Sequence, residues 1–363
     1  LRKKGKLSRE QEQWIEGRYD GEIAFMDHHL TRLVQAVDQL PGQTLWIFHT
    51  DHGEEFFEHD SFEHNHSLYS ELLRAVFWIR PPRGWGGGPH RIEHPVSLVD
   101  IAPTIFATAA IPETMRPVMD GVDLTPFVFQ DRASDKDALA TQLEERPLPI
   151  GHMMYNPEQW GVIFRDQKYI IETGTGKQQW YDLVNDPEEL TNKAEQNPPS
   201  EMVDALARAH GWPVLYGWRL KFRSLNKNTT LRFDKPIGEA LVIEPEALRK
   251  RRANLEWGER APVSKPDVAK LIASNDRTEL TIQPGSAGTG VIFIEGLSKE
   301  DVVAAECVVG KSKITTGKRS KLCDRRADVS VGPYLAQSDR AGVLRNTPEA
   351  ATIKALQSLG YLE

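Results

Sequence analysis

Thr44-Leu45-Trp46-Ile47-Phe48-His49-Thr50-Asp51-His52-Gly53-Glu54-Glu55, then Glu63-His64-Asn65-His66-Ser67-Leu68-Tyr69, then Ala75-Val76-Phe77-Trp78-Ile79-Arg80, is the stretch that decides the fold. Leu45 to Phe48 is too short for a helix and unbroken in its apolarity, which predicts a strand covered on both faces of a parallel sheet. Ala75 to Ile79 predicts a second buried strand, ended by Pro81-Pro82, with a helical turn or two over Leu68 to Leu73 between them. Upstream, Ser8 followed by Gln11 is a capping box ahead of a periodic run. Trp14, Ile15, Ile23, Met26, Leu30, Leu33, Val34, Val37 and Leu40 recur three and four residues apart, so a long helix should turn an apolar stripe to a core until Pro41-Gly42 stops it. Helix, tight loop and buried strand together are α/β grammar.

Outward from this unit, Ile92 to Val96 reads as a short strand, and Leu98 to Ile111 as a helix with Asp100 and Pro103 in its first turn. Loops follow to about Pro149. Val162 to Arg165, Tyr169 to Glu172 and Gln179 to Leu183 suggest an antiparallel meander, and Pro199 to His210 a helix packed by Met202 and Leu206. Beyond Trp212 short β-like runs predominate, from Tyr216 to Phe222 through Asp328 to Val331, and argue for a small sandwich or barrel-like module. The basic Glu246 to Arg252 and the terminal Pro348 to Leu359 read as helices. The organisation expected is an α/β domain over 1–150, a small antiparallel subdomain over 151–212, a β-rich module over 213–345 and a C-terminal helix over 346–363.

Composition bounds the function class. At 363 residues, with 27% charged and 39% hydrophobic residues, the chain is an ordinary globular one with room for two domains. Lys plus Arg number 45 against 52 Asp plus Glu, a formal charge of −7, which argues against a nucleic-acid binder. No run of about 18 apolar residues marks a membrane span. Leu1 to Leu7 is charged with no apolar region after it, so it does not resemble a secretory signal. Two cysteines, Cys307 and Cys323, stand 16 positions apart; a disulfide is the favoured reading over two buried thiols.

The chemistry concentrates after the first strand. Ligands of open α/β sheets bind beyond the carboxyl ends of strands, and Thr50, Asp51 and His52 occupy that position. A carboxylate beside an imidazole suits a divalent cation, Ca²⁺, Mn²⁺ or Zn²⁺. Taken alone, Asp51-His52-Gly53 reads first as a polar turn with Asp51 capping the loop through its backbone, and two ligands do not hold a metal. The downstream crowd shifts the balance: Glu54, Glu55, Glu58, His59, Glu63, His64 and His66 are interleaved with Phe56, Phe57 and Phe62. Imidazoles near a metal stabilise an oxyanion or protonate a leaving oxygen.

These residues, in this order, resemble the sulfatase family of the alkaline phosphatase superfamily. The pattern carried is Thr50-Asp51-His52-Gly53-Glu54-Glu55, Glu58-His59, His64-Asn65-His66-Ser67-Leu68-Tyr69-Ser70-Glu71 and Arg74 to Pro82. Tyr19-Asp20-Gly21-Glu22-Ile23 with Asp27 looks like the family's preceding helix, and Pro95 to Thr104 like the element that follows. Trp180-Tyr181-Asp182-Leu183 with Asn185-Asp186-Pro187-Glu188-Glu189 and Asn192 is similar to its closing strand, and Leu359-Gly360-Tyr361 to a family chain end. The resemblance implies an incomplete alkaline-phosphatase-like α/β sheet domain with a small antiparallel C-terminal subdomain, joined here by an additional β-rich module. It implies that Asp51 and His52 bind a metal, with Ca²⁺ favoured over Mn²⁺ or Zn²⁺. His64 contacts the sulfate or bridging oxygen, and His66 is a second catalytic candidate. His59 takes a supporting role, and Asp20, Glu22, Asp27, His28 and His29 read as helix surface or packing.

The departures are specific. The family nucleophile, a formylglycine made from Cys or Ser in C-x-P-x-R or S-x-P-x-R, is missing, as are the paired aspartates of the first strand. Cys307 precedes Val308-Val309-Gly310 and Cys323 precedes Asp324-Arg325-Arg326, so neither fits. The expectation is therefore a sulfate-ester hydrolase of which this chain carries the downstream half of the site, inactive alone, acting when intact on a sulfated small molecule or glycan, with a periplasmic or secreted location by resemblance. A phosphate or phosphonate monoester hydrolase and a non-catalytic, sulfatase-derived binding protein are the alternatives. Trp218, Arg219, Lys221, Arg223 and the run Arg249-Lys250-Arg251-Arg252 offer an acidic-sugar surface, although a charge run more often marks a solvated helix face.

Overall fold

A computed structural model describes residues 7–86, 89, 91–151, 158–196, 198–222, 225, 227–243, 269–284, 290–307, 311–316, 320–322 and 325–336. Helix α1, Arg9–Val37, starts where the capping box places it, Ser8 Oγ accepting from Gln11 N at 3.3 Å and Gln11 Oε1 from Ser8 N at 2.9 Å. Its apolar stripe departs from expectation. None of its residues is buried, and Trp14, Ile23, Phe25, Met26 and Leu33 stay exposed because no layer among the described residues covers them.

Strand β1, Trp46–His49, leads into a hairpin of β2, Glu55–Phe56, and β3, Phe62–Glu63, then α2, Ser70–Leu73, and β4, Phe77–Arg80. The parallel, doubly covered sheet expected for β1 is corrected. β1 and β4 pair antiparallel with Trp46 opposite Arg80, form a two-stranded ribbon and are only half-buried. Arg80 grips Asp38 with two hydrogen bonds, at 2.6 and 3.0 Å, tying the end of α1 to β4.

Ile92 to Val96 forms no strand. The helix expected from Leu98 is a 3₁₀ turn, Leu98–Asp100, running into α3, Ile101–Thr108. Buried Asp100 caps Ser97 N and takes a bidentate pair from Arg146 at 2.7 and 2.8 Å. The stretch read as loops holds α4, Thr125–Val128, α5, Lys136–Glu144, and β5, Leu148–Gly151, around a core of Leu124, Phe127, Leu139 and Leu143.

β5 is the edge strand of an antiparallel meander with β6, Gln159–Phe164, β7, Gln167–Glu172, and β8, Gln178–Asp182. Helix α6, Ser200–His210, lays Met202, Ala205 and Leu206 on Val162, Phe164, Tyr169 and Ile171, and ends at Gly211 with φ 66°.

The β-rich region is a sandwich of two five-stranded antiparallel sheets. Its strands are β9, Val214–Phe222; β10, Thr229–Arg232; β11, Ala240–Ile243; β12, Lys270–Ala273; β13, Glu279–Gln283; β14, Gly290–Glu295; β15, Val303–Cys307; β16, Lys311–Ile314; β17, Ser320–Leu322; and β18, Arg325–Leu335. The orders are β12-β13-β10-β15-β16 and β11-β14-β9-β18-β17. Trp218, Leu220 and Phe222 alternate inward from β9 to meet Leu231, Leu280 and Ile282, as period-two patterning requires. Trp218 and Arg219 are thus buried core residues, which removes them from the acidic-sugar surface. Arg219 instead donates to Thr173 O at 2.6 Å and to Pro333 O, bolting the sandwich to the meander. The expected helices at 246–252 and 348–359, the basic run 249–252, Arg223 and the Cys307–Cys323 pairing lie outside the described residues and side chains.

Candidate functional site

The turn after β1 is fixed by its backbone. Thr50 N donates to Val76 O and Val76 N to Thr50 Oγ1, both at 3.0 Å, and Gly53 N donates to Leu72 O at 2.9 Å. A Cβ on Gly53 would sit 2.0 Å from Glu71 O, so only glycine lets the turn lie this close to α2. Asp51 and His52 project from the turn, the Asp51 side chain 85% exposed and His52 38%.

His52 Nδ1 lies 2.7 Å from Gly53 O. A carbonyl can only accept, so Nδ1 carries the proton and Nε2 keeps its lone pair, the form in which histidine binds metals. Nε2 stands 3.7 Å from Asp51 Oδ1, close enough for both to reach one ion. These two donors fit part of a hard or borderline cation site. No group of three or more ligands exists among the described residues.

His64 comes beside them, its ring centroid 4.3 Å from that of His52. Glu54 holds His64 Nδ1 at 3.2 and 3.3 Å from its two oxygens, which orients the ring and leaves Nε2 for proton exchange with a ligand. The sequence alone gave Glu54 no such part. Its position beside Gly53 was the available signal.

His66 is placed otherwise. It is 7% exposed, with Nε2 2.6 Å from Glu55 Oε2 and Nδ1 3.3 Å from His64 O, so both ring nitrogens are engaged inside the loop. Fully buried Glu55 also accepts from His59 N at 3.2 Å and Ser61 N at 2.8 Å. That geometry suits an anchor of the loop rather than contact with substrate. His59 stacks on Tyr69 at 3.6 Å and places Nδ1 2.6 Å from Glu71 Oε1. Burial pulls the His59 pKa down, but the Glu71 hydrogen bond and charge outweigh it and the net shift is upward.

The loop needs such anchors. Phe57, Asp60, Glu63 and Asn65 all have positive φ, between 61° and 76°, a conformation that Asp and Asn tolerate but that is uncommon for Phe57 and Glu63 and needs support from neighbours there. A second anchor reaches in from the meander and escaped the sequence reading. Lys168 Nζ, fully buried, sits 2.6 Å from Glu189 Oε1 and donates to Leu68 O and Ser70 Oγ at 3.0 Å, while Ser70 N donates to Glu189 Oε2 at 2.6 Å. Burial lowers the Lys168 pKa, opposed by the Glu189 charge. The signal was a lysine inside the buried run Lys168-Tyr169-Ile170-Ile171.

A pocket of about 380 Å³ adjoins His64, lined by Tyr19 and Glu22 of α1 and by Glu54, Phe56 and Phe62 of the loop. Among the described residues, no helix is long and apolar enough to cross a membrane.

Residues 6–111 match the family model described as Sulfatase. An arylsulfatase of Clostridium perfringens is 23% identical over 56% of this chain and 41% of its own length. A choline-sulfatase of Rhizobium meliloti is 28% identical over 53% and 35%, and human arylsulfatase K 26% identical over 53% and 36%. The chain thus spans well under half the length of these relatives. A solved structure described as a complex with its substrate D-glucosamine-2-N,6-O-disulfate superposes with a TM-score of 0.36 and 21% identity, covering 46% of this chain and 34% of that one, too slight a likeness to bear on the fold.

Proposed function

We propose, for a chain that belongs to the sulfatase family through residues 6–111, that it supplies the metal-binding and leaving-group side of a sulfate-ester hydrolase. The observation that carries this reading is the alignment of His52, Asp51 and His64. A metal-ready imidazole nitrogen and a carboxylate stand 3.7 Å apart, with a carboxylate-oriented histidine ring 4.3 Å from the first.

Asp51 and His52 would hold a divalent cation, Ca²⁺ before Mn²⁺ or Zn²⁺, together with oxygen donors from sequence upstream of Leu1. When bound, that cation supplies positive charge to the ester's non-bridging oxygens. The formylglycine nucleophile is assigned to the same upstream sequence. His64, protonated, has an N–H at each ring nitrogen: Nδ1–H donates to Glu54, and Nε2–H is given to the bridging oxygen as the ester bond breaks. Glu54 fixes the direction of the ring, its oxygens 3.2 and 3.3 Å from Nδ1. The buried anchors at Glu55–His66 and Lys168–Glu189 hold the loop so that this donor needs no reorganisation. The substrate class is a sulfated small molecule or sugar.

The test is turnover of aryl sulfate and aryl phosphate by the polypeptide expressed from its whole reading frame, with His64→Ala and His52→Ala variants. Sulfate release that falls roughly 10²- to 10⁴-fold in His64→Ala is expected for loss of a general acid. Turnover of phosphate alone would favour the phosphate or phosphonate reading. Turnover of neither ester would favour a binding protein, and sulfate turnover unaffected by both variants would remove these residues from the site. The 363-residue chain by itself should bind Ca²⁺ more weakly than micromolar, because two donors leave most of the ion's shell to water. Calorimetry showing micromolar binding abolished by Asp51→Ala would contradict this.

A further inference from the structure

His59 stands where three separate segments meet. Its ring lies flat on Tyr69, the residue before α2, with Nδ1 2.6 Å from Glu71 Oε1 inside α2 and Nε2 3.4 Å from Glu189 O, beyond β8. A carbonyl oxygen only accepts, and so does an ionised carboxylate, so both contacts are hydrogen bonds only when both ring nitrogens carry a proton. The neutral ring has one N–H: with it on Nδ1 a lone pair faces Glu189 O, and with it on Nε2 a lone pair faces the Glu71 carboxylate. The charged groups around the ring favour the imidazolium. Glu71 approaches from α2 and Glu55 from β2, while the Glu189 carboxylate is turned away to Lys168 of β7 and to Ser70 N, and Tyr181 of β8 meets the far side of Tyr69. α2 is also the floor of the turn that carries Asp51 and His52. Gly53 N donates to Leu72 O, and a Cβ on Gly53 would sit 2.0 Å from Glu71 O. Glu71 thus has its side chain on His59 and its carbonyl against the residue that follows His52.

We propose that His59, acting through Glu71 and α2, is a positioning residue for the Asp51-His52-Gly53 turn, and that it holds this turn only as the imidazolium. The inference rests on the metal assignment made above for Asp51 and His52. Loss of the proton turns the Glu189 contact repulsive and weakens the grip on Glu71, so α2 is freer to shift under Gly53 and the two ligands lose their common aim. Cation affinity then falls as pH rises. Deprotonation of the ligands themselves, or of His64 beside them, acts in the opposite direction, because each removes a proton or a positive charge that competes with the cation. A fall with rising pH is therefore the signature of a residue that must stay charged without touching the metal.

The experiment is Ca²⁺ binding by calorimetry, from about pH 6 to about pH 9, to the polypeptide expressed from its whole reading frame and to its His59→Gln, Glu71→Gln and Asp51→Ala variants. The wild type should bind about three- to tenfold more weakly at the top of this range than at its maximum, the worth of one hydrogen bond. His59→Gln has no ring to titrate, so it should show the weaker affinity without the fall. Glu71→Gln removes the carboxylate that favours the charged ring, so its fall should set in at lower pH. A wild type without the fall, or a fall that survives in His59→Gln, overturns the positioning role and leaves the metal assignment standing. Should His59→Gln not fold, Glu71→Gln decides, and a fall at the wild-type pH contradicts the role. Absence of Ca²⁺ binding in the wild type, or binding that Asp51→Ala leaves intact, overturns both readings.

Discussion

His59 shows how single residues hold this loop. Its ring lies flat on Tyr69 and its Nδ1 faces Glu71, so the imidazolium is favoured in the fold although burial opposes it. A histidine whose folded pKa is raised contributes stability that is fully present below its unfolded value, near 6.5, and that is lost as pH rises through the higher folded value. The melting temperature of the wild type should therefore decline through that window, and Glu71→Gln should flatten the decline. Parallel profiles for the two proteins would show that the pair carries no pH-dependent stability. His64 is likewise held by a carboxylate, but its side chain is 39% exposed against 12% for His59 and its ring lies against His52, which suits exchange with a ligand.

At the scale of elements, the approach of the Asp51-His52-Gly53 turn to α2 is the tightest constraint. Gly53→Ala drives a methyl into Glu71 O, and the two backbones must part. Overpacking of this kind costs about 1–3 kcal/mol, measurable by urea denaturation. Because the same shift moves Leu72 and α2, it should also lengthen the contact of Glu71 with His59. A Gly53→Ala protein with unchanged midpoint and slope would mean that the turn has slack that its hydrogen bond to Leu72 O does not suggest. The meander makes its contribution through Lys168 and Glu189, which enter from separate segments yet meet under Leu68 and Ser70. Removing one partner of such a buried pair typically costs about 3–5 kcal/mol, since the other is left charged and unpaired.

For the whole molecule, Arg219 joins the sandwich to the meander. It is fully enclosed, lies 5.5 Å from the centre of the Phe293 ring and 5.7 Å from that of Tyr334, and donates to carbonyls on both sides; burial lowers its pKa to about 10, so it stays charged at neutral pH. Arg219→Met would keep much of the volume but strand those carbonyls, with an expected loss of about 2 kcal/mol by thermal or chemical denaturation. A neutral outcome would mean that packing of Leu335 into the α6 core suffices to hold the two sheets together. What the sequence by itself determined was local. The capping box of α1, the meander strands, the period-two pattern of β9 and the pairing of Asp51 with His52 are all set by neighbours within a few residues, where propensity and patterning act. Tertiary structure decided what depends on distant partners. It turned His66 inward to buried Glu55, gave His64 its Glu54, sent Lys168 and Glu189 beneath the loop, buried Trp218 and Arg219, and paired β1 antiparallel with β4 while leaving the stripe of α1 uncovered. No periodicity encodes that Lys168 and Glu189 meet each other beneath Leu68 and Ser70, because that choice is made by burial, where an unpaired charge costs more than any local preference can return.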